Sequence, residues 1–391
     1  MPLIAKSITD SRPIRLEIDR GRIGQVIPAS IEPLAAEKLP WVAPGLLDIQ
    51  INGFGGQEFS SLELTPALVS KIVRQHYAFG VTRVCPTLTT QSREVFEHGC
   101  RAIADACETD SLCDRSVLGI HLEGPYLSPE DGPRGAHPRE HCRPPNWDEF
   151  QRWQQAAGGR VRLMTLAPEW PGSAEFIARA TAAGVVIAIG HTAATGEQIR
   201  AAVDAGARLS THLGNGAHRQ LRRHPNYLWD QLAEDRLSAS LIVDGHHLPA
   251  EVVQTFVRAK SPARTILVSD VSGLAGLPVG RYLSSGCELE ILPDGRLVIA
   301  GQDQLLAGAS LPLGVGIVNV MRFAQVDLPT AIAMASSNPA RLLGAEAGSL
   351  EAGSMADLVL FDLPKDDEPA SLRIRATLVG GELVYGELSN L

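Results

Sequence analysis

Apolar runs along this 391-residue chain repeatedly end in side chains that can bind a metal, carry a proton or donate a hydrogen bond. "GLLDIQINGFGG" carries Gln50 and Asn52, "GIHLEGP" carries His121 and Glu123, "AIGHT" ends on His191 and "STHLGN" on His212. "VDGHH" follows with Asp244, His246 and His247, and "LVSDVSG" with Asp270. A lone histidine in such a place is more often a core residue bonded to backbone. The succession of endings is the signal.

Glu123, His191 and His212 supply a carboxylate and two imidazoles, a donor set that suits a zinc-type divalent ion with a position left for water. The same trio could instead form a structural hydrogen-bond network at a barrel mouth. Asp270 is the candidate acid/base, because a metal lowers the pKa of water to about 7 and a nearby carboxylate can then take its proton. "SDVSG" also fits a solvated aspartate or a helix N-cap. Nitrogen and oxygen ligands do not choose between Zn, Fe, Mn and Co. Gln50 and Asn52, two apart, share a strand face, and buried amides must find partners.

These residues need a frame that brings strand ends together. Strand-like runs alternate with Ala-rich helical patterns: "GVTRVCPTL" then "REVFEHGCRAIADAC", "RVRLMTLAPE" then "SAEFIARATAAG", "VVIAIGHT" then "GEQIRAAVDAG", "LSASLIVDG" then "PAEVVQTFVRAK". Closed on themselves, such units make an α/β protein, a (β/α)8 TIM-like barrel, in which functional groups stand at strand C-termini. An open doubly wound sheet would show a Gly-rich phosphate turn after its first strand, and no GxGxxG or GxxxxGK[ST] stands there. Both chain ends are β-rich, so residues 1–44 and 345–391 are expected to form a small β-sandwich beside a barrel of residues 45–344.

A net charge of -9 argues against nucleic acid or an anionic membrane as a partner. The N-terminus lacks the apolar core of a signal peptide and no run reaches the ~18 apolar residues of a membrane span, which predicts a cytoplasmic protein. Cys85, Cys100, Cys107, Cys113, Cys142 and Cys287 contain no C-x-x-C pair and read as reduced, mostly core residues.

"APGLLDIQINGFGG", "HLEGP", "RGAHP", "GHTAAT", "THLGN", "VDGHH", "LVSDVSG" and "GSLEAGSMADLVLFD" together resemble the amidohydrolase superfamily, and within it the N-acetylglucosamine-6-phosphate deacetylase family. The resemblance implies hydrolysis of the N-acetyl amide of N-acetylglucosamine 6-phosphate to glucosamine 6-phosphate and acetate. It implies one divalent ion per chain, most simply zinc, on Glu123, His191 and His212, with Asp270 as acid/base. His137 and His247 would contact the sugar, and Asn215, Gly216 and Arg223 the phosphate. In some members that arginine comes from a neighbouring subunit, which implies a homodimer. Many amidohydrolases end the first strand with His-x-His for a second metal. The Gln50/Asn52 pair resembles a single-metal branch, and carboxamides are poor ligands for zinc-like ions.

The chain departs from its relatives at "THLGNGAH", where many read "THLFNAM", at His246, and in the loop between Glu123 and His137. A non-phosphorylated or epimeric N-acetyl amino sugar, or a cyclic amide, is therefore the alternative substrate class. A barrel that binds without chemistry is a third reading, opposed by the joint presence of Glu123, His191, His212 and Asp270.

Overall fold

Alternating strands and helices close as expected in the computed structural model, which describes residues 2–284, 287–365 and 370–388. The chain opens with β1 (Pro2–Ser7), β2 (Pro13–Asp19), β3 (Arg22–Pro28) and β4 (Trp41–Pro44). The first barrel strand, β5 (Leu46–Ile51), is followed by a small hairpin, β6 (Gly53–Phe54) and β7 (Gln57–Glu58). The barrel continues with β8 (Val81–Thr89), β9 (Ile120–Glu123), β10 (Val161–Leu166), β11 (Val186–Ile189), β12 (Leu209–Ser210), β13 (Ser238–Leu241) and β14 (Thr265–Leu267). These lie in the order β14-β13-β12-β11-β10-β9-β8-β5, an eight-stranded parallel sheet. No ladder joins β14 to β5. Closure comes from the residues just beyond β14: Ile51 bridges Val271, Asp270 N–H donates to Gln50 O at 3.0 Å, and Asn52 N–H to Val271 O at 2.8 Å.

The outer helices form for local reasons. Ser92 caps Arg93–Thr109 by accepting from Val95 N–H, and Phe96, Cys100, Ile103 and Cys107 recur at three- and four-residue spacing as its buried stripe. Thr195 and Gln198 form a capping box at the start of Gly196–Ala205, immediately after His191. Cys85, Cys100, Cys107 and Cys113 are buried free thiols and Cys142 is half-buried; the Cys287 side chain lies outside the described set. Among the described residues no helix is long and apolar enough to cross a membrane.

The chain ends share one sheet. β19 (Leu358–Asp362), β20 (Arg373–Val379) and β21 (Glu382–Gly386) complete the order β21-β20-β19-β4-β1-β2-β3, with β4 at the junction of N- and C-terminal segments. The sheet curls over its own core of Leu3, Leu16, Ile23, Val42, Leu358 and Leu378, so that Ile23 N–H reaches Ser354 O. Between the last barrel strand and helix Leu313–Ala324 lies a second antiparallel sheet, β15 (Gly280–Ser284), β16 (Cys287–Ile291), β17 (Leu297–Ile299) and β18 (Gln302–Leu306). Sequence periodicity had merged this stretch with the barrel, because its strands are short and its buried centre, Leu274, Ile291 and Leu297 among the described residues, is small.

Asp357 pins the two larger sheets together: Arg83 of β8 donates to it at 2.9 Å, and Gly380 N–H donates to its other oxygen at 2.7 Å. Both partners are largely buried, so Asp357→Ala strands a guanidinium. The expected loss is about 3 kcal/mol, read as a lower denaturant midpoint.

Candidate active site

Strand alternation sorts the polar residues by depth. His121 and Glu123 of β9 point to one face, but His121 lies deeper, with Nδ1–H donating to Ile49 O at 3.1 Å and Nε2 bonded to Thr165 Oγ1 at 2.8 Å. Burial holds its pKa down to about 4, and it is a satisfied, neutral core histidine. Glu123 is the next inward residue. Its Oε1 lies 3.1 Å from His191 Nε2 and 3.0 Å from His212 Nε2, while those two nitrogens are 3.1 Å apart.

This convergence fits a metal. His191 Nδ1 lies 2.8 Å from the Pro133 carbonyl and must donate to it, so in the neutral ring Nε2 carries the lone pair. A lone pair, a second imidazole nitrogen and a carboxylate oxygen crowded to about 3 Å require a positive charge among them. Donors about 2.0–2.2 Å from a zinc-type ion lie about 3.3 Å from one another, close to the observed separations. Among the described residues these three form the one group with metal-ligand geometry. The electrostatics also call for a positive charge here. Burial opposes charge on Glu123, yet its bonds to His191 and His212 hold the carboxyl well below the usual range. Burial likewise opposes a charged His212, but Glu123 and Asp270 pull its pKa up.

The backbone is strained where these side chains leave it. His191, His212 and Asp270 adopt φ of +51°, +27° and +52°, conformations that cost non-glycine residues roughly 1–3 kcal/mol each. Hydrogen bonds around them hold the turns. Glu169, at the end of β10, accepts from Thr192 Oγ1 at 2.5 Å and Ala193 N–H at 2.9 Å, which fixes the turn of His191. Gly216 packs against His191 at φ +55°, where a Cβ would come within 2.6 Å of Nδ1.

The two amides have found partners. Gln50 Nε2 donates to Glu123 Oε1 at 3.0 Å, and Asn52 Nδ2 to Asp270 Oδ1 at 2.9 Å. One amide therefore serves the metal carboxylate and the other serves the candidate base. Burial, and next the charge of Glu123, raise Asp270 to about 6.

His137 arrives from the loop after β9. Tyr126 and Arg143 at the loop's two ends both bond buried Glu149, and Ser128 N–H donates to His191 O at 3.0 Å. These ties bring His137 Nε2 within 3.2 Å of His191 Nε2, and burial holds its pKa down to about 3, leaving it neutral. His247 bonds Asp244 through Nδ1 at 2.7 Å, and that carboxyl is held to about 2 against its burial. His246 turns away to Asp294 O in the inserted sheet. Asn215 keeps a buried Nδ2 without a partner. Arg223 is exposed in this single chain, with its carbonyl accepting from Asn226 Nδ2, and it is not brought to the cluster. Asp48 and Glu169 escaped sequence reading, although each stands on or after a barrel strand where acids are rare and an inward-facing acid signals a role.

A parallel barrel with a carboxylate and two imidazoles meeting at its strand C-termini, beside a buried acid, is the frame of enzymes that act with a divalent ion. The chain belongs to the amidohydrolase family, whose model matches residues 41–384. Bovine N-acetylglucosamine-6-phosphate deacetylase is 35% identical over 355 residues, covering 88% of this chain and 83% of that protein. An N-acetylgalactosamine-6-phosphate deacetylase of Escherichia coli O157:H7 is 32% identical, covering 89% and 90%. The solved N-acetyl-D-glucosamine-6-phosphate deacetylase of Mycobacterium smegmatis superposes with a TM-score of 0.86 at 32% identity, covering 98% of this chain and 100% of that one. An aspartate-to-alanine variant of that enzyme has been solved with N-acetyl-D-glucosamine 6-phosphate.

Two outcomes follow from this geometry. Gly216→Ala should displace His191 and weaken metal binding on the order of 10- to 100-fold, measured by competition with a chelator. If Asp270 acts as a base, only its ionised form works, so kcat/KM should fall as pH drops through about 6. A bound cation would move that limb lower.

Proposed function

We propose that this chain hydrolyses the N-acetyl amide of N-acetylglucosamine 6-phosphate, releasing acetate and glucosamine 6-phosphate. The observation that carries the reading is the Glu123–His191–His212 cluster standing beside Asp270 in a chain whose similar relatives are deacetylases of amino-sugar 6-phosphates. Glu123, His191 and His212 would hold a divalent ion, zinc being the simplest choice for this donor set, and that ion would supply Lewis acidity to acidify water and polarise the amide carbonyl.

Asn52 occupies Asp270 Oδ1, which leaves Oδ2 to take the proton from water as oxygen bonds to the acyl carbon. The same Oδ2 returns that proton to nitrogen as the C–N bond breaks, so the amine leaves neutral. His137, neutral at working pH, offers a ring N–H to the carbonyl oxygen. Asp244 takes the Nδ1–H of His247 and leaves its Nε2 as an acceptor for a sugar hydroxyl. The unpartnered Asn215 amide and the Gly216 backbone would bind phosphate, joined by Arg223. Because Arg223 is exposed and away from the cluster, we assign it to the site of a second copy in a homodimer. We also assign residues 1–44 and 345–391 to one domain, residues 45–344 to the barrel together with the four-stranded sheet inserted in it, and the protein to the cytoplasm.

A relative acting on the galactosamine epimer is comparably similar, so the epimeric 6-phosphate is the second substrate to test. Acetate release from both sugars, with and without 6-phosphate, should favour the phosphorylated glucosamine compound; release from neither phosphorylated sugar defeats the proposal. Asp270→Asn should keep its metal and lose kcat by roughly 100- to 10,000-fold. Arg223→Ala should raise KM for the phosphorylated sugar roughly ten- to hundredfold, with kcat little changed.

A further inference from the structure

Asp48 is a buried acid with no place in the chemistry above. It is buried on β5 between the buried apolar residues Leu47 and Ile49, one layer beneath Gln50 and Asn52 on the same strand face. Burial raises its pKa to about 7. An acid kept in such a layer needs a reason. Its carboxylate accepts Ser269 N–H, at 3.3 Å to Oδ1 and 3.2 Å to Oδ2, and Gln50 N–H at 3.3 Å.

Those two amides lie at the seam where the barrel has no ladder. Strands β14 and β5 are the two ends of the sheet order, and the main-chain links between their extensions begin only at Asp270 and Gln50. On its other edge β5 is irregular as well. Its register with β8 shifts between Asp48 and Ile51, and Ile51 N–H goes to the Thr87 side chain at 3.1 Å. Side chains therefore replace the ladder on both edges of β5 just below the site, a place where bulges re-aim residues.

We propose that Asp48 is a positioning residue, a side-chain clasp across this seam that sets Asp270 and Gln50 together. Ser269 immediately precedes Asp270, whose φ of +52° must be imposed from outside. Gln50 in turn holds Glu123, so one carboxylate in the layer below fixes both the base and a metal-binding acid. This inference rests on the deacetylase reading for its kinetic consequence and on geometry alone for the clasp.

Asp48→Ala removes both acceptor oxygens, whereas Asp48→Asn keeps one. Turnover per bound metal should fall on the order of 10- to 100-fold in the alanine variant and by less in the asparagine variant, with KM unchanged in both. Hydrogen exchange across residues 268–271 should quicken in the same order, a readout independent of turnover. Should Asp48→Ala fail to fold, Asp48→Asn carries the same paired measurement. Unchanged exchange at 268–271, or a kcat that falls only in step with metal content or folded fraction, overturns the proposal. A parent protein that releases no acetate refutes the functional reading instead, and the exchange result still decides the clasp.

Discussion

The structure depends on one crowded contact: Glu123 Oε1, His191 Nε2 and His212 Nε2 held within about 3 Å of one another in a buried site. A carboxylate and two imidazole nitrogens held this close in low dielectric need a positive charge among them, which a divalent ion would supply. The rest of the barrel mouth can be understood as what keeps them there. Three left-handed turns aim side chains inward, Glu169 and the Pro133 carbonyl fix the His191 ring, and Glu149 anchors the loop that delivers His137. Each support is a bond to a group one step removed from the chemistry, the usual way such sites are kept in register.

The amides at the end of β5 gain a specific meaning from that contact. At positions where two imidazoles would hold a further metal, Gln50 and Asn52 instead donate to Glu123 and Asp270. Two N–H dipoles there stabilise the Glu123 and Asp270 carboxylates without neutralising them. Burial and the charge of Glu123 lift Asp270 to about 6 against the pull of Asn52, near the range in which a base can both accept and return a proton.

Much of this was legible in sequence. Period-2 and period-3.6 patterns expose the βα repeat, and barrel geometry then turns scattered strand ends into one site. Glu123, His191, His212 and Asp270 were recoverable on that logic, and Gln50 and Asn52 were visible as misfits in an apolar run. Contacts that depend on three-dimensional register were not. Asp48 looked like one more residue of a strand until the seam placed Ser269 against it, and Glu169 until the turn of His191 closed on it. The inserted sheet escaped because four short strands with a small core leave little periodic trace.

The central claim is that three residues hold one divalent ion per chain and that the amides leave no second site. Elemental analysis of the purified protein beside its Glu123→Ala variant tests it most directly. The account predicts one equivalent in the parent and none in the variant; two equivalents in the parent, or an ion retained without Glu123, would contradict it.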